Sequence, residues 1–285
     1  MRHTLGLDHA IILGRDLDHA EARLTTLGFR PTPRGYHSAA MGTANTTIMF
    51  GDETYFEIMG VVAETDQNVV IRERLAVREG LSGIAFKTDD ARAAAQEYKE
   101  AGVADGDAVD FARPVALPDG EKEAAFSIAR LSEDATPGCF SFVCQHHTPD
   151  VAWRPDYLDH PNGVIGVREV TGIADDLDQI SAAYTKIFGS DRVSPSPDWV
   201  VIHADKAVIT FLTPSAFAAR FPGAPEKSPF PAPHLAALCF EVPDVEQVEA
   251  IMQAAEIPFL ETDDGSLCVP PARAIGTLML FREAI

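Results

Sequence analysis

Leu17, Ala20, Leu24 and Leu27 stand three, four and three positions apart, the period that turns one face of an α-helix toward a core. Asp16 precedes them as an N-cap and Gly28 follows as a stop. The stretch from Leu7 to Leu13, just upstream, reads as a strand. The same helical spacing returns at Ala91, Ala94, Tyr98 and Ala101, at Leu177, Ile180, Tyr184 and Ile187, and at Val245, Val248, Met252 and Ala255. A short β-rich run precedes each of these three helices ("LSGIAFKTDD", "VREVTGIADD", "LAALCFEVPD"), and strand-like stretches such as "TTIMFG" and "TYFEIMG" follow the first helix. The pattern predicts four copies of a βαβββ unit. One helix lying on three or four strands leaves a sheet face bare, so the units are expected to pair and close around a cavity or core. The expected fold is α+β, with one domain over 1–150, a linker over 151–163 inside a Pro- and Asn/Gly-rich stretch, and a second domain over 164–285.

Composition narrows the function. A chain of 285 residues, 46% of them hydrophobic, can bury a core in each of two domains. Its 43 acidic against 23 basic residues give a net charge of −20, which repels phosphate backbones and anionic lipid, so neither nucleic acid nor a membrane is an expected partner. The four cysteines include no CxxC pair, and the N-terminus lacks the pattern of a signal peptide; a reducing, cytoplasmic setting is expected. Phosphate-loop glycines, a GxSxG elbow and an HExxH helix are all missing from the sequence, which disfavours nucleotide cofactors and those hydrolase chemistries.

Three segments carry polar groups in strand-like surroundings: "LDHAIILGRDL", "GYHSAAMGTANTTIMFGDETYFEIMG" and "FVCQHHTPDVAWRPDYLDHPNG". The second holds H-x-x-x-x-G-T-x-N from His37 to Asn45. Together with the four units, these segments resemble glyoxalase-like proteins of the vicinal oxygen chelate superfamily. The resemblance implies four βαβββ modules paired into two glyoxalase-like domains, with ligands for a divalent metal (Fe, Mn, Ni, Co or Zn) on the first and last strand of a unit. Carried onto this chain, the first-strand positions are His9, Gly83, Glu169 and Ala237, and the last-strand positions are Glu57, Gln145 and Thr210, with Glu283 following the final strand. The first domain thus offers His9, Glu57 and Gln145, and the second only Glu169, so the second is expected to be structural.

Side-chain alternation places His147 with Gln145 and His146 on the opposite face, which makes His147 a further candidate ligand. Glu57 or His37 is the expected base, and His37 and Asn45 are expected to contact substrate. Trp153 and Arg154 read either as an apolar wall and a carboxylate fork for substrate or as a tie of the linker to a domain. The implied activity is that of a metal-dependent lyase, isomerase or ring-cleaving dioxygenase acting on a small molecule with two adjacent oxygens. The alternative is a metal-free small-molecule binding or sequestering protein on the same fold. A small molecule is the expected partner, and a homodimer stays open.

Overall fold

The computed structural model describes residues 1–117, 120–221, 223–224 and 229–284. Unit one comprises β1 (Leu7–Leu13), α1 (Leu17–Thr26), β2 (Gly35–Tyr36), β3 (Thr43–Met49) and β4 (Tyr55–Val61). After α2 (Val69–Val77), unit two runs through β5 (Gly80–Lys87), α3 (Ala91–Glu100), β6 (Val109–Leu117), β7 (Gly120–Arg130) and β8 (Phe140–His146). Short helices α4 (Pro149–Ala152) and α5 (Pro155–Leu158) lead to unit three: β9 (Gly166–Ile173), α6 (Leu177–Phe188), β10 (Val193–Pro195), β11 (Trp199–Ala204) and β12 (Ala207–Leu212). Helix α7 (Pro214–Arg220) precedes unit four: β13 (His234–Val242), α8 (Val245–Ala254), β14 (Leu260–Glu261), β15 (Leu267–Val269) and β16 (Leu278–Glu283). The four expected helices are α1, α3, α6 and α8. Asp16, Asp90, Asp176 and Asp244 cap them, each carboxylate accepting a backbone N–H of the first turn.

The units pair two by two. Units one and two form an eight-stranded sheet in the order β2-β3-β4-β1-β5-β8-β7-β6, and units three and four a second in the order β10-β11-β12-β9-β13-β16-β15-β14. In each, the first strands of the two units run antiparallel at the centre, and each first strand lies parallel to the last strand of its own unit. The edge strands β2 and β6 approach one another, so the first sheet curls almost into a barrel.

Alternation along β1 divides the labour of the two faces. Ala10 and Ile12 join α1, α3 and residues of the second domain in one large core, while Ile11 and Leu13 face the inside of the curl. Phe29, just after α1, packs its ring 5.2 Å from Phe240 and 5.9 Å from Phe281, joining the cores of the two domains. Hydrogen bonds add to this junction: Leu81 N–H donates to Thr277 Oγ1, and Val167 N–H to Thr54 Oγ1. Between β8 and β9, His160 Nε2 lies 2.8 Å from the Met49 carbonyl, and its Nδ1 accepts from the Arg30 N–H at 3.0 Å. Both bonds require a neutral ring with the proton on Nε2.

Burial makes protonation of three histidines costly. It pushes the imidazole of His160 down, that of His37 down, and that of His234 down to about 4, where the Arg78 charge also acts. The unfolded chain takes up protons near the ordinary 6.5, so stability should be full above that pH and fall as pH drops toward 4. His3, raised by its exposed bond to Asp89, works weakly the other way. Thermal unfolding followed from pH 7 to pH 4.5 should show a steadily falling midpoint, and a flat profile would contradict these buried neutral rings.

Candidate functional site

The curl of the first sheet encloses a cavity of about 660 Å³, a volume suited to a small organic molecule. Odd-numbered side chains of β1, β3, β4 and β6 and even-numbered ones of β7 and β8 line it. Much of the wall is apolar, including Met41, Met59, Phe111, Phe126, Phe140 and Phe142. Its principal polar groups are His9, His37, Asn45, Glu57, Arg113 and His146.

His9 sits at the centre of the sheet, paired with Tyr55 on β4 and Ala85 on β5. Its ring stacks on that of Tyr55 at 4.2 Å, and its Nε2 lies 3.9 Å from Glu57 Oε1. Asn45, diagonal to Glu57 on the neighbouring strand, donates its side-chain N–H to Glu57 Oε2. Below this pair lies Asp8. The ladder between β1 and β5 slips by one residue there, because Leu7 pairs with Phe86 and His9 with Ala85. Such a bulge releases a side chain from strict alternation. The Asp8 carboxylate reaches His9 Nδ1 at 2.7 Å and His146 Nε2 at 3.2 Å.

Burial pushes the Asp8 carboxyl up, but the charge and hydrogen bonds of His146 and His9 outweigh it and hold the group well below the usual carboxylate range. An ionised carboxylate only accepts, so both facing imidazole nitrogens carry protons. In a neutral His9 ring this leaves the Nε2 lone pair facing the cavity. His146 Nδ1 is buried without a hydrogen-bond partner among the described residues.

His37 follows β2, with its Nδ1 2.8 Å from Thr43 Oγ1. Burial pushes its imidazole down, the Glu57 charge opposes that, and Arg113 adds to it. The loop beyond it is tightly folded. The Gly42 carbonyl accepts from Val62 and Ala63 N–H, and a Cβ at Gly42, whose φ is +61°, would lie 2.3 Å from the Ala63 carbonyl.

The remaining expected site residues lie elsewhere. Alternation along β8 is as expected, but the faces are reversed: His146 and Cys144 line the cavity, while Gln145 and His147 face away. Gln145 Oε1 accepts the Ala91 N–H and its Nε2 donates to the Asp89 carbonyl, so it braces the start of α3. His147 Nε2 bonds Ser127 Oγ at 2.7 Å, and that hydroxyl donates to Asp110. The sequence register counted back from Pro149, whereas pairing decides the matter. Glu57 stands beside Ile11, and Phe142 stands beside Ala85, the residue in unit two equivalent to Ile11, so Phe142 is the counterpart of Glu57. Trp153 packs its ring 4.8 Å from His146 and 5.8 Å from Tyr55, behind the cavity wall. Arg154 forms an ion pair with Asp156 at 3.5 Å and does not line the cavity. The stretch read as a linker does reach it, because Val151, Ala152 and Tyr157 complete the wall.

Asp8, His146 and Arg113 were not among the expected site residues. Arg113 had a legible signal, since alternation in "VDFARPVAL" puts it on one face with Phe111 and Val115. The bulge that exposes Asp8 depends on long-range pairing and leaves no mark in the sequence.

The expected four-ligand set is therefore dispersed. Of His9, Glu57, Gln145 and His147, only the first two share the cavity, and Gly83 and Phe142 occupy the matching positions of unit two without offering a donor. Among the described residues, no third His, Cys, Asp or Glu completes a cluster with His9 and Glu57. Asp8, Cys144 and His146 do form a group that could hold a metal ion, their ligand atoms lying within 4.8 Å of one another. Asp8 is already shared by two imidazoles, however, and neither His9 nor Glu57 belongs to this group. These donors do not fit the three- or four-ligand centre that the resemblance implies.

The chain resembles several solved structures across its whole length. A hypothetical protein from Staphylococcus aureus matches with a TM-score of 0.67 at 12% identity, covering 98% of this chain and 99% of that one. A mutant of 4-hydroxymandelate synthase from Streptomyces coelicolor matches with 0.61 at 13%, covering 99% and 93%. The Mn(II)-bound glyoxalase from Novosphingobium aromaticivorans matches with 0.58 at 11%, covering 99% and 82%. At these identities the likeness is one of fold. No curated protein matches by sequence. No helix among the described residues is long and apolar enough to cross a membrane. The model of the glyoxalase-like domain matches residues 7–188, well over half the chain, and the protein belongs to that family.

Proposed function

We propose that the first domain is an enzyme of the isomerase or lyase kind, which moves a proton at a carbon next to oxygen in a small organic substrate. The observation that carries this reading is the line Asp8–His9–Glu57 at the cavity wall, with spacings of 2.7 Å and 3.9 Å. Asp8 fixes the tautomer of His9 so that Nε2 can accept a proton from substrate. The resulting imidazolium would stand between two buried carboxylates, Asp8 on one side and Glu57 on the other. Asn45 holds Glu57 in place, and His37, near the same carboxylate, is a second group able to deliver or take a proton. Chemistry by side chains alone is favoured over the metal-dependent lyase, isomerase or dioxygenase form, because no third His, Cys, Asp or Glu among the described residues joins His9 and Glu57. The same apolar wall supports one other reading, a protein that binds or sequesters a small molecule without transforming it.

One assay separates these. In D₂O, NMR of a panel of small carbonyl compounds incubated with the whole protein should show C–H to C–D exchange on at least one member. That exchange should fall by about 100-fold or more in His9→Ala and in Glu57→Gln. It should persist after chelator treatment, and elemental analysis should find no stoichiometric transition metal. Exchange that needs an added divalent ion would restore the metal-dependent reading. Ligand binding without exchange would leave the binding protein.

A further inference from the structure

Arg113 projects from edge strand β6 into the cavity, and no hydrogen bond or ion pair engages it among the described residues. Its guanidinium lies where the two sheet edges meet. A Cβ added at Gly35 on β2 would come within 1.9 Å of Arg113 Nη1, so the missing side chain there makes room for the cation. Glu57 is near enough to be felt through space but not to pair. A partly buried charge without a counterion is costly, and a guanidinium presents a planar fork matched to a carboxylate. Beside it stand Phe111 and Phe126, stacked with ring centroids 5.1 Å apart, and Phe140 and Phe142 lie farther along the same cavity.

We propose that Arg113 is the anion subsite of this cavity and that the natural ligand is a monocarboxylate with an aryl-sized apolar body. The assignment rests on the reading of the cavity as a small-molecule site and names its ligand class. It places the carboxylate at the β2–β6 seam and the apolar body along the phenylalanine wall. The reacting carbon is then left to the groups around His9.

Isothermal titration calorimetry of the whole protein against a panel of aryl and branched carboxylates, each paired with its primary amide (phenylacetate with phenylacetamide, for example), tests this. At least one carboxylate should bind about 10–100-fold more tightly than its amide. Arg113→Met, which keeps the apolar stem, should abolish that preference while leaving amide binding unchanged. Arg113→Lys should keep part of it, and Gly35→Ala, which displaces the guanidinium, should reduce it. Thermal unfolding of each variant checks that the fold persists. The proposal is overturned if no carboxylate outcompetes its amide, or if Arg113→Met retains the preference. A failed exchange assay with an intact, Arg113-dependent carboxylate preference in the wild type removes the proposed chemistry and leaves this subsite standing.

Discussion

Replacing Asp8 with alanine is expected to destabilise the protein by about 4 kcal/mol, because one change strands two imidazoles in the interior. Asp8 is 1% exposed, and its single Oδ2 accepts from both His9 and His146. Hydrogen bonds to a charged acceptor contribute more than neutral ones, and water cannot readily replace this acceptor at that depth. Asp8→Asn should cost about half as much, since an amide oxygen can still accept from one ring while its NH₂ confronts the other. Urea unfolding measures the stability, and long-range ¹H–¹⁵N spectra of the imidazoles report the tautomers. The proton fixed on His9 Nδ1 in the wild type should become mobile between the two nitrogens in Asp8→Ala. A loss below about 1 kcal/mol with unchanged imidazole spectra would mean that Asp8 does not organise the site.

This aspartate also marks the boundary between what the sequence reveals and what it conceals. The helices were legible because Leu17, Ala20 and Leu24 repeat with a period set by local geometry, and Asp16 and its three equivalents terminate each helix through contacts a few residues away. Strand β1 was legible for a similar reason, from the apolar residues Ala10 to Leu13 just ahead of the helix cap. The relation between His146 and its neighbours followed from alternation. Which of the two faces looks inward did not, because the β5–β8 register fixes it, and that register is set by pairing across more than fifty residues. Arg113 meets Gly35 only because the sheet curls until its edges touch. Fold was written in local periodicity, whereas the site is assembled where distant strands meet.

In the second domain, loss of the Arg220 guanidinium should cost about 3 kcal/mol, measured as Arg220→Met in urea at pH 7. Glu169, at the position that His9 holds in the first domain, is 4% exposed and takes two parallel bonds from Arg220, at 2.7 Å and 2.6 Å, with a third from Thr171. Burial pushes its carboxyl up, but Arg220 outweighs that and holds it below the ordinary value. The guanidinium side is 31% exposed, which keeps the expected cost at the lower end for a broken buried pair. The pH dependence supplies a second readout. In the wild type, this pair contributes stability above the unfolded carboxyl value, and the contribution is lost as pH falls through the lower folded one. Without Arg220, burial is opposed only by the hydroxyls of Thr210 and Thr171 and the folded carboxyl rises, so the variant should recover relative to wild type as pH drops toward 4. Arg220→Met combined with Glu169→Leu should return to within about 1 kcal/mol of wild type, because the pair and an apolar replacement are close in free energy. The contrast between the domains follows from α7 and its C-cap, where Phe217 and Phe221 join Leu212, Ala237, Leu278 and Leu280 in one cluster while Arg220 pairs with the buried Glu169. In the first domain the equivalent face is left to His9, Glu57 and an open cavity. If Arg220→Met proves as stable as wild type at every pH, that ion pair is not what holds α7 over the second sheet.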